Sequence, residues 1–366
     1  MAAGRKIDKP FLLISIILMV AGFFIFSSAS LALLAKESSN YASIAFSQTV
    51  FGLFMGMIAL IVCARSDFRI WKKYALWLLF GAIILNILVL IPGVGFEHAG
   101  ARRWIKFGLI SLQTSEVLKL AFIIYFAAWS AGVKEKMKTF QWGFLPLLVL
   151  FTISATLLLN QPDTDNLVLI VFAGVAMFLV AEGKWRYVFT IILAGAIGFV
   201  LLAFARPYIM QRVTTFFNTQ VDAQGASYQV QQSLIAVGSG GLFGRGFGQS
   251  VQKFTYLPEP VGDSVFAVAA EEFGFVGSVF LLILFMLFAT RGMKIASVTS
   301  NVFGRLTVVG IVIMITSQAF VNIGAMLGVI PLSGITLPFV SHGGTSLFIT
   351  LLEVGIVLSI SRSRVS

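Results

Sequence analysis

Apolar runs alternate with short polar segments along the whole chain, near 11–34, 44–64, 74–92, 116–131, 143–159, 167–181, 187–205, 264–290, 306–330 and 345–361. A helix needs roughly 20 apolar residues to cross the hydrocarbon core of a bilayer, and these runs are of that order. The pattern predicts an all-α integral membrane protein, a polytopic bundle of about ten transmembrane helices, as a single domain over residues 1–366. The first run follows Arg5, Lys6 and Lys9 and invites comparison with a signal peptide. It is too long for the apolar core of one, and Ser27, Ser28 and Ser30 form no clear cleavage site, so it reads as an uncleaved span.

Composition agrees with the pattern. Hydrophobic residues are 58% of the 366 positions, charged residues 11%, and mean hydropathy is +0.96. A water-soluble domain needs more charge than this to cover its surface.

Charge placement sets orientation. With the N-terminus inside, 17 of the 26 basic residues fall in cytoplasmic segments and eight outside, with Lys119 inside a span. That asymmetry puts both termini in the cytoplasm. The net charge of +11 sits between apolar runs, where it suits orientation and contact with anionic membrane lipids. No basic stripe with interleaved aromatics is present, so nucleic acid is excluded as a partner. The single cysteine, Cys63, has no intramolecular partner. No metal-ligand spacing occurs, since His98 and His342 are the only histidines.

Three outer features break the bland pattern. Arg102, Arg103 and Lys106 crowd one short outer segment with Trp104, against the orientation rule. They read either as an interfacial turn with cations on lipid phosphates or as a seat for an anionic lipid-linked substrate. The stretch 206–263, between the seventh and eighth spans, is the longest extracytoplasmic segment and is rich in Gly and polar residues. Gly238 to Gly241 and Gly244 to Gly248 miss the dinucleotide-loop spacing. They read either as a pliable connection or as backbone donors for phosphate. Asp263 opens the eighth span, as a helix N-cap or as a general base.

Ionisable groups inside spans are costly and therefore functional candidates. Glu116 and Lys119 lie at i and i+3 on one helix face and can neutralise each other or line a polar cavity. On a helical wheel Glu271 lies within about 80° of Asp263 and Glu272 points nearly opposite, so at most one shares a cavity with it. Glu353 lies in the last span. Gly52-Leu53-Phe54-Met55-Gly56 and Gly324 to Gly328 offer close-packing faces, internal or for a partner helix.

The longer motifs resemble the SEDS family (shape, elongation, division and sporulation). They are Ala101-Arg102-Arg103-Trp104-Ile105 after Gly100, Gln113-Thr114-Ser115-Glu116 with Lys119, and Gln161-Pro162-Asp163. Tyr228-Gln229 with Gln232 to Gly244, Tyr256-Leu257-Pro258-Glu259, Asp263 and Glu271 to Gly274 follow. Asn322-Ile323-Gly324 and Pro331 to Phe339 with Ser341, Gly343 and Gly344 complete the match, which covers nearly the whole chain. The large loop is worded more like the division branch, FtsW, than the elongation branch, RodA.

The resemblance implies ten spans and a peptidoglycan glycosyltransferase that polymerises lipid II outside the bacterial cytoplasmic membrane, at the division septum. It implies a class B penicillin-binding protein and other divisome proteins as partners. It places the general base at Asp263 and carries over Glu116 and Lys119 to substrate binding. Arg102, Arg103 and Arg245 are added here as cations for the departing pyrophosphate. No cofactor is required by the sequence, with a divalent cation left open. A lipid II flippase and a catalytically silent division scaffold stand as alternatives.

Some positions depart from the family pattern. Pro260-Val261-Gly262 stand before Asp263 where Ala-His-Thr is usual. Thr164-Asp165-Asn166 replace Phe-Gly-Thr, Thr114 replaces a Pro, and His342 replaces a Tyr.

Overall fold

A computed structural model describes residues 6–35, 41–98, 101–108, 110–217 and 225–363. Lys36, Gly100 and the segment 218–224 lie outside the described residues.

The chain forms, in order, α1 (Lys9–Ala35), α2 (Tyr41–Phe46), a π-helical stretch (Ser47–Met55), α3 (Gly56–Arg65) and α4 (Arg69–Leu88). Three strands follow, β1 (Gly95–His98), β2 (Ala101–Phe107) and β3 (Ile110–Gln113). Then come α5 (Thr114–Val133), α6 (Leu145–Leu159), α7 (Thr164–Val180), α8 (Trp185–Ala205), α9 (Pro207–Phe217), α10 (Ala226–Ser239) and α11 (Gln252–Thr255). The chain ends with α12 (Val265–Ser297), α13 (Val302–Met326) and α14 (Gly344–Ser361). Among the described residues nine helical stretches are long and apolar enough to cross a membrane, and α7, at 17 residues, is a shorter apolar helix at the sixth expected span. The protein is a multi-pass helical membrane protein.

Burial sorts these helices into layers. α13 and α14 are enclosed almost all round, whereas α8 turns Trp185, Phe189 and Phe204 outward. Lipid is as apolar as leucine, so close fit rather than water exclusion holds such a bundle together. Gly52 and Gly56 supply that fit: a Cβ at Gly52 would meet Gly344 at 3.2 Å, and one at Gly56 would meet Leu351 at 2.7 Å. The Gly52-to-Gly56 face is therefore an internal seam against α14. At the cytoplasmic end Asp8 accepts from the Phe11 amide at 2.9 Å, and Arg291 donates to both its oxygens at 2.9 and 2.8 Å. This ties the start of α1 to α12.

Two outer segments are more ordered than the sequence suggested. The Arg102–Lys106 segment is a strand, the middle one of an antiparallel sheet in the order β1-β2-β3. Trp104 pairs with Phe96 on one side and Gln113 on the other. The stretch 206–263 carries three helices, α9, α10 and α11.

Residues 331–343 run without helix between α13 and α14, and much of the segment is buried. Irregular backbone at such depth survives only where protein groups replace water. Gln48 donates to the Ser341 carbonyl at 3.1 Å and accepts from the Gly343 amide at 3.0 Å. Gln318 donates to the Thr336 carbonyl at 3.0 Å, and Asn322 to the Ile335 carbonyl at 2.8 Å. Asp165 accepts from the Gly334 amide at 3.2 Å while holding Arg212 of α9 at 2.9 Å. Four polar side chains from three helical elements, the π-helical stretch, α7 and α13, thus shape this segment.

Candidate active site

Asp263 stands in the turn just before α12, outside the membrane-spanning helix. It is not the helix cap: Ser264 holds that position, and no side-chain capping bond is made there. The Asp263 carboxylate instead accepts from Gln229 Nε2 of α10 at 2.9 Å, and the same nitrogen reaches Ser264 Oγ at 2.9 Å. The Asp263 carbonyl accepts from Asn322 Nδ2 of α13 at 2.8 Å. Side chain and main chain are therefore fixed from two different helices.

Protein surrounding the carboxyl removes water that would stabilise its charge, and this pushes its pKa from 3.8 up to about 7. The Gln229 hydrogen bond opposes the rise, and the neighbouring Glu259 charge adds to it. Residues leading into Asp263 are anchored as well. The His342 amide donates to the Val261 carbonyl at 2.6 Å, so two of the departures from the family pattern meet each other.

Glu271 and Glu272 do not join Asp263. Glu271 accepts from Ser250 Oγ at 2.5 Å and from the Val251 and Gln252 amides at 3.0 and 3.3 Å. Glu272 binds the fully buried Lys253 at 2.6 Å and accepts from Ser28 of α1 at 2.6 Å. Both carboxylates pin the outer segment to the bundle. Just beyond them Gly274 takes φ +66°, which breaks the helical path of α12. A Cβ there would lie 2.3 Å from the Gly244 nitrogen, so both conformation and space require glycine. The glycine run closes on this break: the Arg245 and Gly246 amides donate to the Glu271 and Glu272 carbonyls, each at 3.0 Å. These amides are spent inside the fold and are not offered to a phosphate.

The cations divide into two sets. Arg103 donates through Nε to the Gln161 carbonyl at 3.1 Å and through Nη2 to the Pro162 carbonyl, and it faces the buried Asp163 at 3.9 Å. It braces the turn between α6 and α7. Lys119 is enclosed in the bundle, donating to Glu116 at 2.8 Å and Gln318 at 2.7 Å. Arg102 and Arg245 keep side chains 41% exposed, beside Glu97 at 2.9 Å and Glu271 at 3.5 Å respectively. Among the described residues, no hydrogen bond or ion pair joins Arg102, Arg103, Arg245, Glu116 or Lys119 to Asp263. No group of three or more His, Cys, Asp or Glu that could hold a metal is found among the described residues.

Gln318 and Gln48 escaped sequence reasoning. Their signal was an uncharged amide inside an apolar run, where an unpaired polar group is costly and so implies a partner.

Residues 9–366 match the family model of FtsW, RodA and SpoVE, described as cell cycle protein. Stage V sporulation protein E of Bacillus subtilis is 38% identical over 355 residues, covering 97% of each chain. The probable peptidoglycan glycosyltransferase FtsW of Coxiella burnetii is 37% identical over 359 residues, covering 97% of this chain and 96% of its own. Among solved structures, a chain of a peptidoglycan synthase complex superposes with a TM-score of 0.80 at 27% identity, covering 98% of each. The rod shape determining protein RodA of Thermus thermophilus gives a TM-score of 0.70 at 26% identity, again over 98% of each. With fold, motifs and near-complete coverage in agreement, this chain belongs to the FtsW, RodA and SpoVE family, the SEDS proteins.

Proposed function

We propose that this protein is a peptidoglycan glycosyltransferase that polymerises lipid II on the extracytoplasmic face of the cytoplasmic membrane. The observation that carries this reading is the Asp263 carboxyl, held by Gln229 on a backbone that Asn322 anchors, and raised to about 7. A base is most effective when its pKa lies near the working pH, because it is then both ionised and able to take a proton.

In the reaction a sugar hydroxyl of one lipid-linked chain attacks the anomeric carbon of another. The new glycosidic bond forms as the bond to the lipid pyrophosphate breaks, with inversion. The hydroxyl proton passes to Asp263, and the leaving pyrophosphate carries away the electron pair. Its charge needs cations that the substrate can reach. Arg102 and Arg245, with exposed side chains, take that role, while Arg103 and the Glu116–Lys119 pair act as positioning groups. A class B penicillin-binding protein is the proposed partner, as the likeness to a peptidoglycan synthase complex supports. The relatives named FtsW support a place at the division septum.

The test is polymerisation of lipid II by the purified full chain with its cognate penicillin-binding protein. Glycan chains should form and should vanish with Asp263→Asn. A folded complex that makes no polymer overturns the proposal, and lipid II translocation that survives Asp263→Asn supports a flippase instead.

A further inference from the structure

The cytoplasmic ends of α1, α3 and α14 enclose a groove that the proposed chemistry does not use. Its cavity, about 470 Å³, is walled by apolar side chains that include Leu12, Met57 and Leu351. Ile16 and Ile61 also line it and are exposed, so the groove reaches the lipid-facing surface. Arg65 and Arg362 close its cytoplasmic end. The same two arginines line an adjoining polar cavity of about 370 Å³, together with Arg69 and Asp67. One long apolar compartment and one cationic compartment thus share a boundary.

Charge selects the occupant. Arg362 Nη1 donates to the Ala64 and Arg65 carbonyls at 3.1 and 3.3 Å, which holds its guanidinium at the junction. Among the described residues the Arg65 side chain has no hydrogen bond or ion pair, and Asp67 uses one oxygen for the Arg69 amide at 2.9 Å. Three arginines against one carboxylate leave the polar compartment cationic. All three helix ends lie on the cytoplasmic side by the distribution of basic residues. Helix dipoles also favour cations at the ends of α3 and α14, but a dipole does not call for an apolar groove beneath them.

We infer that this paired cavity binds one anionic phospholipid of the cytoplasmic leaflet, its acyl chain in the α1–α3–α14 groove and its phosphate headgroup against Arg65, Arg69 and Arg362. α14 carries the inference towards the active site, because its N-terminal end follows the 331–343 segment that contacts the approach to Asp263.

Native mass spectrometry of the full chain, exchanged into detergent with dioleoyl phosphatidylglycerol or dioleoyl phosphatidylcholine, tests it. Phosphatidylglycerol should be retained as a single resolved adduct and phosphatidylcholine should not. Arg65→Gln with Arg362→Gln should weaken retention on the order of tenfold or more, as expected for removing juxtamembrane cations. Met57→Trp, which fills the groove and leaves the arginines in place, should do the same; Ala64→Phe serves if Met57→Trp fails to fold. Equal retention of both lipids, or retention that survives groove filling, overturns the inference. So does loss of a co-purified partner protein, instead of lipid, on the same substitutions.

Discussion

Asn322 donates through Nδ2 to the main-chain carbonyl of Asp263 at 2.8 Å and through the same nitrogen to that of Ile335 at 2.8 Å. One buried amide therefore ties the proposed base to the irregular 331–343 segment. Asn322→Ala leaves both carbonyls without that donor, at a cost of about 1–3 kcal/mol for each buried group left unsatisfied. Thermal melting should show this loss. Polymerisation should fall further than melting predicts, because the Asp263 backbone also loses its anchor. Activity that falls only in step with the folded fraction would remove Asn322 from the positioning role.

The pH dependence follows from Asp263. A base must be ionised, so activity should rise with pH through about 7, falling roughly tenfold per unit below the midpoint. Stability runs the other way. The folded pKa lies above the ordinary 3.8, so this carboxyl contributes its full stability below that value and loses it as pH rises through about 7. Asp263→Asn should accordingly melt higher than the parent protein at pH 8 and no higher at pH 3.5. Because the Glu259 charge helps raise the pKa, Glu259→Gln should move the activity midpoint downward.

Spans were legible because bilayer thickness imposes a length that composition alone reveals. The β-sheet was not, because Arg102-Arg103-Trp104-Ile105-Lys106 is too polar for the alternation that marks a half-buried strand. It is held by pairing with Gly95–His98 and Ile110–Gln113. Asp263 was legible as a position but not as an environment: the sequence could not show whether amides of α12 or Gln229 would meet its carboxylate. Arg103 looked like a substrate cation because the carbonyls that hold it, on Gln161 and Pro162, are nearly 60 residues away. The helical wheel allowed at most one of Glu271 and Glu272 beside Asp263; neither joins it, and Ser250 meets both carboxylates. The wheel could not show that the outer loop would fold back and meet both.

That folding back has a measurable energy. Lys253 and Glu272 form a buried pair at 2.6 Å, with Ser28 bonded to both. Lys253→Met should cost about 3–5 kcal/mol, because it leaves Glu272 buried without its counter-charge. Lys253→Met with Glu272→Leu should recover most of that loss. Limited proteolysis within residues 240–260, alongside melting, should show whether the outer segment has come away. A double variant no more stable than the single one would mean that the pair does more than neutralise charge.

The Glu116–Lys119 pair distinguishes substrate binding from positioning. Lys119 bridges Glu116 and Gln318, and Gln318 stands one turn from Asn322 on α13, a rise of about 6 Å at 1.5 Å per residue. Gln318 also donates to the Thr336 carbonyl, so the pair supports the same 331–343 segment that Asn322 holds. Lys119→Met alone leaves a buried carboxylate unpaired and should destabilise by about 3–5 kcal/mol. Lys119→Met with Glu116→Gln removes both charges and should melt close to the parent. Kinetics on that double variant decide the role. A cation that grips lipid II directly would, when lost, raise KM for lipid II. A strut that shapes the segment beside Asp263 would lower kcat and leave KM nearly unchanged. The enclosure of Lys119 and its two short bonds favour the second outcome, and a several-fold rise in KM at unchanged kcat would return Lys119 to the substrate site.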